Sequence, residues 1–199
     1  MAKDESGALA RFGVTDRDIE QALGRVKVSN VDYADLYFEY CQSESVSMEE
    51  GIVKRATKSI GQGVGVRATA GEKTGFAYSD ELTSKDLNIA ADTARYIANS
   101  AQGTAPVPVT HRPAPTRDLY PHDRANVEVA TRDRVTLLNA IDAEARRYDP
   151  RIKNVMAAYN TEYKVMLVAT SDGLMVGDIQ PLSRLQVTCI AEENGNRQV

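Results

Sequence analysis

Gly61-Gln-Gly-Val-Gly-Val-Arg-Ala-Thr-Ala-Gly-Glu-Lys-Thr-Gly-Phe-Ala-Tyr78 carries the fold of this chain in eighteen consecutive positions. Val64, Val66 and Ala68 alternate with Gly65, Arg67 and Thr69, which is the period of two expected of a half-buried strand. The alternation resumes at Thr74, Phe76 and Tyr78 after Gly71-Glu72, so the stretch predicts a β-hairpin with its turn at that dipeptide. Gly61, Gly63 and Gly65 have the look of a phosphate loop, but such a loop must open into a helix whose N-terminal amides face the anion. Here the residues after the glycines continue a strand. Glycine inside a strand marks either a bulge or a place where another backbone lies close to the sheet, and the second use suits a bound peptide.

Working outward, Thr15 predicts an N-cap for a helix whose apolar residues Ile19, Ala22, Leu23 and Val26 share one face. Leu36, Phe38 and Tyr40 alternate with Asp35, Tyr37 and Glu39 in a strand with one buried side. A second extended stretch, Val46 to Ile60, breaks near Gly51. Thr83, with Asp86 three residues on, predicts a capped helix bearing the small-residue stripe Leu87, Ala91, Ala94 and Ala98.

Residues 99–126 turn to proline, threonine and alanine and read as a long connection. A third helix follows on Val135, Leu138, Ile141 and Ala145, with Asp142 and Arg146 spaced for an i, i+4 pair. Strand patterns return at Val155–Tyr163, Val165–Thr170, Leu174–Ile179 and Arg184–Glu192, with a turn signal at Asp172-Gly173. The fold class is α+β, with antiparallel or mixed sheets covered by about three helices. The expected organisation is a flexible tail over residues 1–14 and one domain over 15–199.

The run Val64-Gly65-Val66-Arg67, then Gly71-Glu72-Lys73-Thr74-Gly75-Phe76-Ala77-Tyr78, preceded by Asp35-Leu36-Tyr37-Phe38, resembles the amino-terminal domain of the TldD/PmbA zinc metalloprotease family. The resemblance extends over nearly the whole chain. It implies a cytoplasmic peptidase that acts on unfolded or extended peptides together with a homologous, catalytically silent subunit of the TldE/PmbA type. The family holds its zinc with a His-Glu-x-x-x-His helix motif and a distant cysteine. That motif does not occur here, so the carboxyl-terminal metallopeptidase domain is expected to be absent from this chain, which alone is expected to be inactive and to bind no metal.

The residues agree with that expectation. His111 and His122 are the only histidines, neither has a glutamate beside it, and a helical zinc pair needs two about one turn apart. Cys41 and Cys189 fall in strand patterns as small apolar groups and form no disulfide framework. Glu49-Glu50 and Glu192-Glu193 are neighbours on strands, so they point to opposite faces and do not act as pairs.

With 199 residues the chain is long enough to bury roughly 70% of its unfolded surface. A composition of 42% hydrophobic and 26% charged residues is that of a globular protein. The net charge of −4 and the lack of a Lys/Arg cluster beyond Lys54-Arg55 and Arg146-Arg147 argue against nucleic acid as a partner. No apolar run of spanning length or secretory core is present in the sequence, which sets aside a membrane-spanning helix. Partners are therefore expected to be a TldE/PmbA-like subunit or a second copy, and unfolded peptides.

Two residues are singled out as candidate peptide-cleft contacts, Arg67 and Tyr78. Arg67 lies on the strand face opposite Val64, Val66 and Ala68, where its guanidinium meets either a carboxylate of the fold or a peptide carbonyl. The alternative to the peptidase-domain reading is a stand-alone, non-catalytic module that binds peptides or pairs with a related subunit.

Overall fold

The computed structural model describes residues 9–28, 30–98, 107–111 and 125–199. The elements run α1 (Asp16–Val26), β1 (Tyr33–Glu49), β2 (Ile52–Ala70), β3 (Lys73–Ser79), α2 (Ser84–Ile97), β4 (Thr110–His111), α3 (Thr131–Tyr148), β5 (Ile152–Thr170), β6 (Leu174–Glu193) and β7 (Asn196–Gln198), with a short 3-10 turn at Asn126–Glu128. Hydrogen bonds order the strands β3-β2-β1-β5-β6-β4, with β7 added to β6. The architecture is the α+β class read from the sequence.

The strands are longer than their sequence segments suggest. The extended stretches Leu36–Tyr40 and Val46–Glu49 are one strand of 17 residues, and the two patterns on either side of Lys164 are one strand of 19. The phase explains it. In β1 the even positions Leu36, Phe38, Tyr40, Val46 and Met48 are all buried, so no residue has slipped between them. In β5 the odd positions Val155, Ala157, Thr161, Val165, Leu167 and Ala169 are likewise buried, with Tyr159 and Tyr163 half-buried between them. Gln42-Ser43-Glu44-Ser45 hid the continuity, being polar at both parities.

By internal packing the chain divides into two compact units. The first takes the described residues within Met1–Cys41, Gly61–Leu119 and Lys164–Ile179. Its core gathers Ile19, Leu23 and Val26 of α1, Leu36 and Phe38 of β1, Val64 and Val66 of β2, and Leu87 of α2. Thr15 caps α1 through a reciprocal box with Asp18, and Thr83 accepts the Asp86 amide at the start of α2.

Of the tail expected over residues 1–14, the structure describes residues 9–14. Residues 9–12 form a helical turn that ends at Gly13, and Phe12 is buried against Phe38 with ring centroids 5.5 Å apart. Burial of that aromatic offsets the cost of ordering the turn.

α2 packs on β3 and on α1. Its stripe Leu87, Ala91, Ala94 and Ala98 is buried, and it meets β3 at Gly75. A methyl group on Gly75 would lie 1.9 Å from the Ala94 carbonyl oxygen and 2.7 Å from the Ala98 nitrogen. Both obstacles are backbone, so neither yields by rotating a side chain.

The second unit takes the described residues within Gln42–Ile60, Tyr120–Tyr163 and Gln180–Val199. Val46 and Met48 of β1, Ala157 of β5 and Leu138 of α3 form its apolar centre, with Val135, Ile141 and Tyr159 packed around it. Beside it lies a charged pair that the sequence did not disclose. Arg134 of α3, its side chain 1% exposed, bonds Glu44 of β1, which also takes Lys58 at 3.1 Å and Gln42 at 2.8 Å. Burial pushes the Glu44 carboxyl up, but the hydrogen bonds from Lys58, Gln42 and Arg134 outweigh it and hold the group below its usual value. Hairpin turns close at Glu50-Gly51 and Asn194-Gly195, each with two successive positive φ values, as twisted antiparallel strands favour. Of the proline-rich connection at 99–126, residues 99–106 and 112–124 lie outside the described residues, His122 among them.

Two outcomes follow from these contacts. Gly75→Ala should lower unfolding free energy by about 2–3 kcal/mol, whereas Gly61→Ala, with nothing within 4 Å of the added carbon, should leave it nearly unchanged; urea denaturation midpoints compare them. Because the folded pKa of Glu44 is depressed, its stabilisation is full above the unfolded value of about 4.3 and fades as pH falls through the folded value. Urea midpoints measured from pH 7 to 3 should therefore fall less steeply in Glu44→Gln than in the native sequence.

Candidate functional site

The first unit bears a trough whose floor is the glycine file. Val64, Val66 and Ala68 turn into the core, which sends Gly61, Gly63 and Gly65 to the opposite face of β2. With no side chains on three alternate positions, the middle of three neighbouring strands is lower than its flanks. On one flank β1 raises Tyr37, Glu39 and Cys41; on the other, Phe76, Tyr78 and Asp80 rise from β3 and the residue just after it. The hollow measures about 370 Å³.

Register fixes the far wall. β2 and β3 pair antiparallel without interruption from Val64↔Ser79 to Ala70↔Lys73, which places Tyr78 across from Gly65 and Phe76 across from Arg67. No bulge interrupts this part of the hairpin. The Phe76 ring leans over Gly65, 3.1 Å from where a methyl would stand, so Gly65 makes room for a ring rather than for a turn. Asp80 brings a carboxylate oxygen to 3.5 Å from the equivalent point on Gly63. Phe76 and Tyr78 are 57% and 74% exposed, so both rings are presented to solvent on the trough side.

Hydrogen bonds hold the near wall. The Tyr37 hydroxyl donates to Glu39 at 2.6 Å, and Lys164 stands 3.7 Å from the same carboxylate. Burial, and then that bond to Glu39, push the Tyr37 phenol well above its ordinary pKa, so it remains a donor throughout the working pH range.

Arg67 lies one step beyond the trough on the same face. Its Nε and Nη2 donate to one oxygen of Asp35 at 2.8 and 2.5 Å, and its guanidinium sits 5.8 Å from the Tyr33 ring centroid. The bonds from Asp35 raise the Arg67 pKa further. Of the two candidates read from the sequence, Tyr78 stands in the trough wall and Arg67 makes an ion pair within the fold. Tyr37, Glu39 and Asp80 were passed over as site residues. The parity of Gly61, Gly63 and Gly65 was the available signal, because alternate glycines on one face leave a furrow lined by whatever the neighbouring strands present there.

The second unit has a hollow of about 340 Å³ lined with hydroxyls, among them Ser43, Ser45, Thr57, Ser59 and Ser183. Neither Cys41 nor Cys189 is in a disulfide. Among the described residues no group of three or more His, Cys, Asp or Glu is placed to hold a metal ion. With the His-Glu-x-x-x-His motif missing from the sequence, the residues present do not fit a zinc site.

The sheet and the helices packed on it define an α+β fold, and comparison with known proteins identifies its family. Residues 34–98 match the family profile described as PmbA/TldA metallopeptidase domain 1, and residues 125–198 match the PmbA/TldA metallopeptidase central domain. The chain belongs to the TldD/PmbA metallopeptidase family. It is 37% identical over 169 residues to the metalloprotease TldD homolog of Haemophilus influenzae, covering 85% of this chain and 35% of that protein. The corresponding homolog of Buchnera aphidicola from Schizaphis graminum is 30% identical over 96% of this chain and 39% of its own length. The chain thus spans between a third and two fifths of these relatives.

Solved structures share the fold. TldE from Thermococcus kodakarensis superposes with a TM-score of 0.63 at 18% identity, over 83% of this chain and 38% of that one. A protein described as a putative modulator of DNA gyrase from Bacteroides thetaiotaomicron gives 0.69 at 17% identity, over 98% and 43%.

The two candidate residues should separate in a stability experiment. Arg67→Ala should cost about 1 kcal/mol, the range for a half-exposed ion pair, while Tyr78→Ala should stay within about 0.5 kcal/mol of the native value. A loss of several kcal/mol on truncating Tyr78 would make it a packing residue.

Proposed function

We propose that this chain is the non-catalytic, amino-terminal part of a TldD-like zinc metallopeptidase, shaping the substrate cleft and the interface with a TldE/PmbA-like subunit. The observation that carries the reading is the tandem of the first and central family domains on a chain that spans little more than a third of its curated relatives and has no zinc motif. In the whole protein the zinc would belong to the part of the relatives that this chain does not span. Its bound water would supply the nucleophile for peptide hydrolysis.

The contribution of this chain is to hold an extended peptide. Tyr37, Phe76 and Tyr78 offer faces for side chains beside a floor that is open at Gly61. Arg67 and Tyr78 are retained as candidate contacts, Tyr78 through the trough wall and Arg67 at its end. Unfolded chains are the substrate class that fits, since a furrow across a sheet admits an extended segment and excludes a folded domain.

Cytoplasmic residence is part of the reading, supported by Cys41 and Cys189, neither of which is in a disulfide. Among the described residues no helix is long and apolar enough to cross a membrane.

One observation favours the second reading, a module that pairs with another strand. β3 covers β2 only from Val64 to Ala70, so among the described residues Ile52–Ile60 has no strand on its outer side. An open edge of that length is a template for strand addition by a peptide or a subunit.

Elemental analysis of the purified chain should find zinc far below one equivalent, and an unstructured peptide incubated with it should remain intact. Stoichiometric zinc together with chelator-sensitive hydrolysis would overturn the assignment.

A further inference from the structure

The trough combines three features that a general peptide groove does not need together. Its floor is bare backbone at Gly61, Gly63 and Gly65, its walls are aromatic, and its carboxylates come from both sides, Glu39 from β1 and Asp80 after β3. Aromatic rings with adjacent carboxylates are complementary to one ligand chemistry, a cation on an apolar stem. The ring faces attract the charge and cover the methylenes, and the carboxylates bind the polar head.

The cations of the fold neutralise this arrangement only in part. Arg67, the guanidinium next along the face, is taken by two hydrogen bonds to Asp35. Lys164 pairs with Glu39 at 3.7 Å through Oε2, the oxygen that also takes the Tyr37 hydroxyl, and it is not among the residues that line the hollow, so the second Glu39 oxygen and the Asp80 carboxylate are the acceptors offered to a ligand. Asp80 is exposed and directed at the glycine floor. A side chain entering between Tyr37 and Tyr78 therefore passes over Gly63 with a carboxylate on each side.

We propose that the trough is a specificity subsite for a lysine or arginine side chain of an extended peptide. The inference rests on the peptide-cleft reading above and adds to it the identity of the residue that the trough selects. The stem lies over Gly61, where nothing stands within 4 Å of an added Cβ, beside the Phe76 ring that covers Gly65. The ammonium or guanidinium lies between Glu39 and Asp80, with Tyr78 and Phe76 along its flank.

The test is fluorescence anisotropy of the full 199-residue chain with labelled, acetylated heptapeptides of alternating valine and threonine. The central residue is lysine, arginine, norleucine or glutamate. The lysine and arginine peptides should bind about tenfold more tightly than the norleucine peptide, and the glutamate peptide more weakly still. The double variant Glu39→Gln with Asp80→Asn should abolish the preference, bringing the lysine- and arginine-peptide affinities to that of the norleucine peptide. Gly61→Leu, which adds a side chain in open space above the floor, should weaken every peptide.

Equal affinity for the lysine and norleucine peptides would overturn the charge preference while leaving the peptide cleft standing. Failure of all four peptides to bind would overturn the cleft reading itself, and the subsite with it.

Discussion

The contact between Gly75 and the Ala94 carbonyl sets the arrangement of the first unit. A helix lies on a sheet at about 10 Å when side chains separate them, but here backbone meets backbone, because Gly75 has no side chain and the facing residues of α2 are alanines. The consequence reaches the other side of β3. With Gly75 and Ala77 turned to the helix, the strand must send Phe76 and Tyr78 away from it, and pairing with β2 then places those rings beside Gly65 and Gly63. Packing on one face of a seven-residue strand thus determines the wall of a groove on the other.

The second unit depends on a different compromise. Glu44 occupies an interior position of β1, in phase with Val46 and Met48, and a carboxylate there is tolerable only if it is fully paired. Arg134 supplies the charge from α3, and Lys58 and Gln42 satisfy the remaining lone pairs. A buried pair of this kind contributes little net stability compared with an apolar replacement, yet it penalises any register in which Glu44 loses Arg134. It ties the position of α3 to the phase of the strand beneath it.

Local signals were legible in the sequence wherever one residue type has one physical use. Thr15 and Thr83 cap helices, Ile19 to Val26 form one face, and Asp172-Gly173 turns a hairpin with Gly173 at positive φ, all as the residues indicate. The length of the strands was not legible in β1, since Gln42 and Glu44 are polar residues in phase with the inward positions. Period-two reasoning equates inward with apolar and stops at such places. Arg134 was illegible for the same reason, because nothing local marks one arginine on an amphipathic helix as the buried one.

The site was half legible, and the missing half was a matter of parity. Arg67 and Tyr78 were chosen as individual residues with suitable chemistry, yet the structure joins Arg67 to Asp35 and gives Tyr78 different neighbours. What brings Tyr37, Glu39, Tyr78 and Asp80 together is the absence of side chains between them. A sequence reader weighs glycines by the backbone angles they permit, and Gly61, Gly63 and Gly65 use none of that freedom, since the positive φ values fall at the turn glycines. Their role is to occupy no volume. Alternate glycines on a central strand therefore mark a furrow, and its chemistry is read from the residues that the two flanking strands raise beside it.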